Sequence, residues 1–362
     1  MKRAQKIILN ISTVLIAVCI LFACVGCSKQ EALPIAIVNA PEQDLVVSTP
    51  HLCNTNATAD TVSLYNYILS TYKTKIISGL QETTGNNRDY EVDYIYETTG
   101  KYPALRGFDF IHDDFDGVVE RAKAWDARGG IVSICWHCSA SFDKGYYESQ
   151  ADKLTQEEWD AMLTEGTPEH AVAIAGMDKA GAALLELQEA GIPVLWRPFH
   201  EFDGWWFWWS KIKDEDSADT SENFKRLWIM MYNHFTNDLH LNNLIWVLGY
   251  SYAGTRIPKF YPGDEHCDIV GADSYYVSTF GAESRLYNKL YELVGNSKPI
   301  VFHETGLIPT AQQFKEVPWG WFMTWHTTWL TEKNTTEALD ALYNDPYVIT
   351  LEDLPDRHLA ID

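Results

Sequence analysis

Short apolar runs alternate with stretches of helical spacing through most of the chain. The runs at 75–80, 103–110, 131–136, 193–196, 243–249, 268–273, 299–302 and 320–325 read as buried strands. Between them, 118–128, 177–190, 222–235 and 286–294 carry apolar residues at helical intervals, and Gly129-Gly130 and Gly191 stop the first two. The segment from 138 to about 170 is longer and contains Tyr146, Tyr147 and Trp159, so it reads as a site-forming loop with short helices. Eight strands separated by helices, with no internal repeat, predict a single α/β domain of the (β/α)₈ barrel class.

The N-terminal pattern is different. Lys2, Arg3 and Lys6 precede a mostly apolar run from Ile7 to Val25, followed by Gly26-Cys27 and then polar Ser28-Lys29-Gln30-Glu31. This resembles a bacterial lipoprotein signal over 1–27, with Cys27 as the lipidated residue. Cys24, three positions earlier, departs from the usual Leu and is the second choice for lipidation; an uncleaved membrane anchor is the other alternative. In each case the protein is expected to be exported and membrane-tethered, at the periplasmic face or the cell surface, with the multiple acyl chains that firm anchoring needs. Residues 28–60 lack periodicity and read as a linker whose last part packs on the domain, which then runs over 61–362.

Composition narrows the chemistry. The 362-residue chain carries 28 Lys+Arg against 50 Asp+Glu, a formal charge of -22, which disfavours nucleic acid or an anionic membrane surface as a partner. Aromatic content of 13%, with 14 Trp and 19 Tyr, favours a ligand that stacks. Much of it falls in one stretch, P-V-L-W-R-P-F-H-E-F-D-G-W-W-F-W-W-S at 193–210, where a strand ends in Arg197, His200 and Glu201, turns at Asp203-Gly204 and continues into five aromatics. A core strand followed by an aromatic plug is the plain reading. Beside a strand-end Glu, five aromatics read instead as a wall for a sugar, whose C–H faces lie on indole while its hydroxyls need polar partners.

In a (β/α)₈ barrel the chemistry sits at the C-terminal strand ends. His137 falls there after the third strand, and Arg197, His200 and Glu201 after the fourth. Tyr275 and Tyr276 follow the sixth, His303 and Glu304 the seventh, and Trp325 and His326 the eighth. F-H-E-F at 199–202 and F-H-E-T-G at 302–306 set two carboxylates to face each other across the barrel mouth, the pair a retaining glycosidase needs at roughly 5–5.5 Å.

These residues, W-R-P-F-H-E-F-D-G-W-W-F-W-W and V-F-H-E-T-G above all, resemble the two signature regions of glycoside hydrolase family 26, mostly β-mannanases, over about residues 60–362. The resemblance implies a retaining hydrolase of β-1,4-mannan, galactomannan or glucomannan, either an endo-mannanase or a mannobiose-releasing variant, needing no metal or organic cofactor; a monomer is expected. It implies that Glu201 is the general acid/base and Glu304 the nucleophile, that His200 hydrogen-bonds near the nucleophile, and that Tyr275 contacts it. Trp206 and Trp325 would line the site of the cleaved sugar, and His137 would touch sugar. Arg197 is expected beside Glu304 as a donor favouring its anion. Asp203 stands where many members carry Asn, and Ser210 replaces the usual Gly. Some relatives act on mixed-linkage β-glucan or β-1,3-xylan, so these substrates stay open, as does a non-catalytic sugar-binding lipoprotein. Cys135-Trp136-His137-Cys138 has redox or metal spacing, but at a strand end the plainer expectation is buried thiols or one structural disulfide.

Overall fold

The structure is a computed structural model that describes residues 51–215, 218–252, 256–275 and 281–355. Residues 1–50, with Cys27, and Tyr276 lie outside the described residues.

Strands β1 (Ile76–Gln81), β2 (Leu105–Asp109), β3 (Ile131–Trp136), β4 (Val194–Pro198), β5 (Leu244–Tyr250), β6 (Ile269–Ser274), β7 (Ile300–Thr305) and β8 (Trp321–Thr324) pair in parallel in chain order, and β8 closes onto β1. The expected (β/α)₈ barrel is therefore the observed fold. A short β9 (Val348–Ile349) adds to the start of β1. Helices α1 (Ala59–Thr71), α2 (Tyr90–Thr99), α3 (Phe115–Asp126), α4 (Tyr146–Ala151), α5 (Gln156–Met162), α6 (Pro168–Glu189), α7 (Ser221–Asn233), α8 (Ser284–Val294), α9 (Ala311–Glu316), α10 (Thr328–Thr331) and α11 (Thr336–Tyr343) are the described α-helices.

Each barrel strand is buried along its whole length, which is why it reads as a continuous apolar run rather than an alternating one. Alternation survives in the partners. Ile77, Leu105, Ile131, Leu195, Ile245, Ile269, Val301 and Trp321 form one cluster inside the barrel, and their strand neighbours pack outward against the helices. Leu52 and the α1 residues Leu64, Tyr65 and Ile68 join that inner cluster, and the Cys53 N–H donates to Asp268 Oδ1 at 2.6 Å. Residues 52–60, the end of the expected linker, are thus packed on the barrel.

The expected helix at 177–190 starts earlier. Thr167 caps α6 by accepting the His170 N–H, and Pro168 takes the first turn, where its missing N–H costs nothing. Within 138–170 the short helices α4 and α5 appear as expected, and α5 carries a Thr155–Glu158 capping box.

Candidate active site

The inward side of every strand carries odd-numbered residues, and at the upper ends those positions hold the chemistry. On β2 and just past β3 they are Asp109 and His137; on β4, Arg197; on and after β6, Asp273 and Tyr275; past β8, Trp325. Glu304 breaks the parity. Its neighbour His303 lies inside the barrel, against the bare backbones of Gly249 and Gly271 where a Cβ would come within about 3 Å of the ring. Strict alternation would then turn Glu304 outward to the helices. The pairing with β6 shifts between Ala272↔Phe302 and Asp273↔Glu304, and that with β8 shifts between Phe302 and Thr305. This bulge re-aims Glu304 into the mouth beside His303.

Glu304 is 2% exposed and held by both oxygens. Arg197 Nη1 donates to Oε1 at 2.6 Å and the Tyr275 hydroxyl to Oε2 at 2.6 Å. Burial lowers the basicity of Arg197, but Glu304, Cys135 and Asp273 outweigh it and keep the guanidinium charged. Burial and the adjacent Glu304 push the Tyr275 phenol far up, so it remains a donor. His200 differs from expectation. Its Nε2 stands 3.8 Å from Glu304 Oε1, beyond a hydrogen bond, and burial together with Arg197, His137 and His303 holds the ring neutral. Two donors other than His200, Arg197 and Tyr275, hold the Glu304 carboxylate.

Glu201 sits just past β4 on a backbone that turns left-handed at Phe199 (φ 48°) and Glu201 (φ 55°), a conformation costing roughly 1–2 kcal/mol per residue. The Glu201 N–H to Gly249 C=O bond at 2.7 Å, with Gly204 N–H returning to Glu201 C=O at 2.9 Å, holds the turn. Glu201 keeps part of its surface open to the cleft, and its Oε2 accepts the Trp206 indole N–H at 2.6 Å. Desolvation first and the Glu304 charge second push its carboxyl up to about 8, against the lowering by Trp206 and Arg197. Oxygens of Glu201, Asp273 and Glu304 all lie within 4.8 Å of one another.

Two acidic residues not chosen from the sequence complete the site. Asp273 is fully buried with neither oxygen hydrogen-bonded, 3.6 Å from Arg197 Nη1 and 3.3 Å from His303 Nδ1. Burial and Glu304 drive its pKa far up, so it is held neutral. Asp109 accepts from His137 Nδ1 at 2.5 Å and from its backbone N–H at 3.0 Å. Burial raises its pKa, but the His137 ring and the amides of His137 and Ile111 outweigh burial and keep it below the ordinary range. With Nδ1 engaged, His137 has its other nitrogen for a ligand, and its ring packs edge-on against His200, Tyr146 and Phe207. The one sequence signal for either Asp was a charge closing an otherwise apolar strand.

The aromatic stretch divides. Phe207, Trp208 and Trp209 are buried, the two indoles donating to the carbonyls of Cys138 and His200. For these three the core-plug reading holds and the wall reading does not. Trp206 stays beside Glu201 with Tyr252 stacked parallel to it, and Trp205, 60% exposed, packs edge-on against Trp206. Trp325 is half-buried, edge-on to Tyr275 and tilted over His326, whose pKa burial lowers to about 4.

Cys135 and Cys138 are unpaired and buried, with thiol pKa values pushed well up by burial first and Asp109 second. Neither disulfide nor reactive thiolate forms there. Cys135 Sγ, Asp109 and His137 also lie within 4.8 Å of each other, as metal ligands would. Asp109 Oδ2 and His137 Nδ1 are bonded to each other, and Arg197 already supplies a cation to the carboxylate group around Glu304.

Comparison with known proteins adds three findings. Glycosyl hydrolase family 26 matches residues 53–353. A mannan endo-1,4-β-mannosidase of Thermothelomyces thermophilus is 34% identical over 84% of this chain and 63% of its own length, and mannan endo-1,4-β-mannosidase B of Piromyces is 30% identical over 84% and 54%. This chain therefore spans less than two thirds of either relative. Among solved structures, a ruminal GH26 endo-β-1,4-mannanase superposes with a TM-score of 0.76 at 29% identity, covering 84% of this chain and 70% of its own. A β-mannanase from a symbiotic protist of the termite Reticulitermes speratus, complexed with gluco-manno-oligosaccharide, gives 0.75 at 28% identity, covering 84% and 98%.

Proposed function

The chain belongs to glycosyl hydrolase family 26, and from that premise we propose that it is a retaining endo-β-1,4-mannanase. The observation that carries the reading is the carboxylate pair, with Glu201 and Glu304 oxygens within 4.8 Å. That is near the roughly 5–5.5 Å of retaining enzymes and short of the roughly 6.5–9.5 Å at which an inverting enzyme places a water between its carboxyls.

In this reading Glu304 attacks the anomeric carbon while Glu201 gives its proton to the departing glycosidic oxygen. A glycosyl–Glu304 ester results, and the leaving chain departs with a free hydroxyl. Glu201, now anionic, takes a proton from water, whose oxygen attacks the same carbon and frees Glu304. The two groups are held differently. Arg197 and Tyr275 donate to the two oxygens of Glu304 and fix its plane. Desolvation at the mouth keeps the Glu201 proton in place at neutral pH. His137 and Trp325 serve as sugar contacts, and Trp206 both stacks and bonds to Glu201.

The substrate is a β-mannan or manno-oligosaccharide, and Cys27 carries the lipid that tethers the exported enzyme. The charged n-region and the apolar run before Cys27 support the tether. Cys27→Ala should shift the enzyme from the membrane to the soluble fraction of its host.

The test of the activity is a product profile. Linear β-1,4-mannan, galactomannan, mixed-linkage β-glucan and β-1,3-xylan are incubated with the wild type, Glu304→Ala and Glu201→Ala. Early mixed manno-oligosaccharides from the wild type alone are expected. Cleavage confined to the glucan or xylan would overturn the substrate, and sugar binding without cleavage would return the protein to a binding role.

A further inference from the structure

We propose that Gly249 on β5 sets the separation of the two carboxylates, acting through the buried ring of His303 on one side and through His200 on the other. This rests on the retaining-mannanase reading above, in which that separation decides whether the glycosyl–Glu304 ester forms. Gly249 and His303 are then positioning residues of the reaction.

Neither carboxylate stands on regular backbone, so the barrel's own register does not space them. Glu201 lies in the left-handed turn past β4. Glu304 follows the one residue of β7 left over in the ladder. Ala272 pairs with Phe302 and Asp273 with Glu304, which leaves His303 without a partner on β6. On the other side, His303 and Glu304 together span the step between Phe302↔Phe322 and Thr305↔Thr324, where β8 supplies Met323 alone. An extra residue of this kind bends its strand and re-aims the side chains around it. Where that residue comes to rest fixes how far Glu304 is turned.

His303 rests in a slot made by what its neighbours lack. A Cβ on Gly249 would come within 3.1 Å of the ring at Cε1 and Nδ1, and one on Gly271 within 2.8 Å at Cδ2. The Trp321 indole lies nearly parallel, at 17° with ring centres 6.1 Å apart, and Asp273 Oδ1 stands 3.3 Å from Nδ1. The residue is fully buried and neither ring nitrogen is hydrogen-bonded, so shape rather than polarity seats it.

Gly249 also reaches the other carboxylate. Its carbonyl accepts the Glu201 N–H at 2.7 Å, and the same added Cβ would come within 3.1 Å of the His200 Cβ. One bare α-carbon therefore lies between the histidines of the two F-H-E motifs, the residues that precede Glu201 and Glu304. Gly249 sits within strand β5, in backbone open to any residue, so the demand for glycine is a demand for space. A methyl there wedges His200 and His303 apart by a few tenths of an ångström, and Glu201 and Glu304 move with them.

The experiment compares Gly249→Ala, His303→Ala and the double variant with the wild type on mannohexaose, with the thermal melt of each recorded. Gly249 and His303 are buried beneath the mouth. Gly249→Ala is therefore expected to lower kcat about tenfold with KM little changed, given that a shift of roughly 1 Å costs about a hundredfold. Because the Glu304 charge helps hold the Glu201 proton, separating the two should also move the alkaline limb of kcat/KM downward. A variant that merely folds less fully loses kcat without moving that limb. In the His303→Ala background the methyl has no ring to push, and adding Gly249→Ala should cost little further. An unmoved limb in Gly249→Ala, or the same loss from the methyl with and without the ring, would overturn the proposal and leave the functional reading standing. If Gly249→Ala does not fold, His303→Ala decides alone. Without the ring Glu304 loses its seat, so kcat and the limb should both fall, and an unchanged limb would overturn the proposal. A wild type inert on mannohexaose would overturn the retaining-mannanase reading and the proposal with it.

Discussion

Replacing Trp206 by Phe tests how the proton of Glu201, the proposed acid/base, is held. The indole N–H lies 2.6 Å from Glu201 Oε2, a bond that stabilises the ionised carboxylate and opposes the desolvation that raises its pKa to about 8. Phe keeps an aromatic ring but no donor. A hydrogen bond to a charged group contributes about 1.5–3 kcal/mol, and one pH unit corresponds to about 1.4 kcal/mol. Losing the bond disfavours the anion, so the pKa of Glu201 moves upward, by about one unit once water fills part of the vacated position. The assay is kcat/KM for mannohexaose from pH 5 to 10, whose alkaline limb reports the acid of the free enzyme. The wild-type limb is expected near pH 8 and that of Trp206→Phe about one unit higher, with a lower plateau from the lost stacking area. An unmoved limb, or one shifted downward, would refute either the assignment of Glu201 as the acid or the role of the indole N–H.

Three further changes follow from the same geometry. Asp203 is 1% exposed, with Oδ2 unpartnered and its pKa pushed up to about 6 by burial. The folded chain therefore binds this proton more tightly than the unfolded one, and stability falls as pH rises from about 4 to about 6. Asp203→Asn removes a cost of order 2–3 kcal/mol that operates above that window. Its Tm should match the wild type at pH 4 and exceed it by several degrees at pH 7.5, and an equal difference at both pH values would contradict the argument. Because the Asp203 charge also raises the pKa of Glu201, the same variant should move the alkaline limb downward, opposite to Trp206→Phe. Tyr275→Phe removes the 2.6 Å bond to Glu304 Oε2 and should lower kcat about 10- to 100-fold with KM little changed; an unaltered kcat would mean that Arg197 alone orients the nucleophile. Glu201→Ala should lose far more activity on polysaccharide than on a dinitrophenyl β-mannobioside, whose leaving group needs no proton. Equal losses on the two substrates would argue against its role as acid.

The barrel was legible because its strands are buried on both faces. β3 falls where its apolar run does, at 131–136, and the other strands fall within a few residues of theirs. Glu201 and Glu304 were legible as matching F-H-E motifs, although nothing local shows that Glu304 needs a bulge at His303 to face inward. The start of α6 was hidden because Ala-rich turns around 171–175 carry weak amphipathic contrast, and the Thr167-Pro168 cap was the better marker. Asp109 and Asp273 were passed over because a lone acid ending an apolar run also suits an ordinary turn. Only the closed barrel brings Asp109 to His137 and Asp273 to Arg197. Five adjacent aromatics looked alike in sequence, but the turn after Glu201 sends Trp208 and Trp209 inward, where carbonyls of Cys138 and His200 satisfy their N–H groups, and leaves Trp205 and Trp206 outside.

The central claim, a double displacement on Glu304, is tested most directly by the stereochemistry of the first products. Proton NMR of mannohexaose hydrolysis, recorded before mutarotation, should show the β-anomer of the newly formed reducing end appearing first and the α-anomer growing in later. The α-anomer appearing first would mean direct displacement by water, which carboxylate oxygens within 4.8 Å of each other do not accommodate, and the account of the site would be wrong.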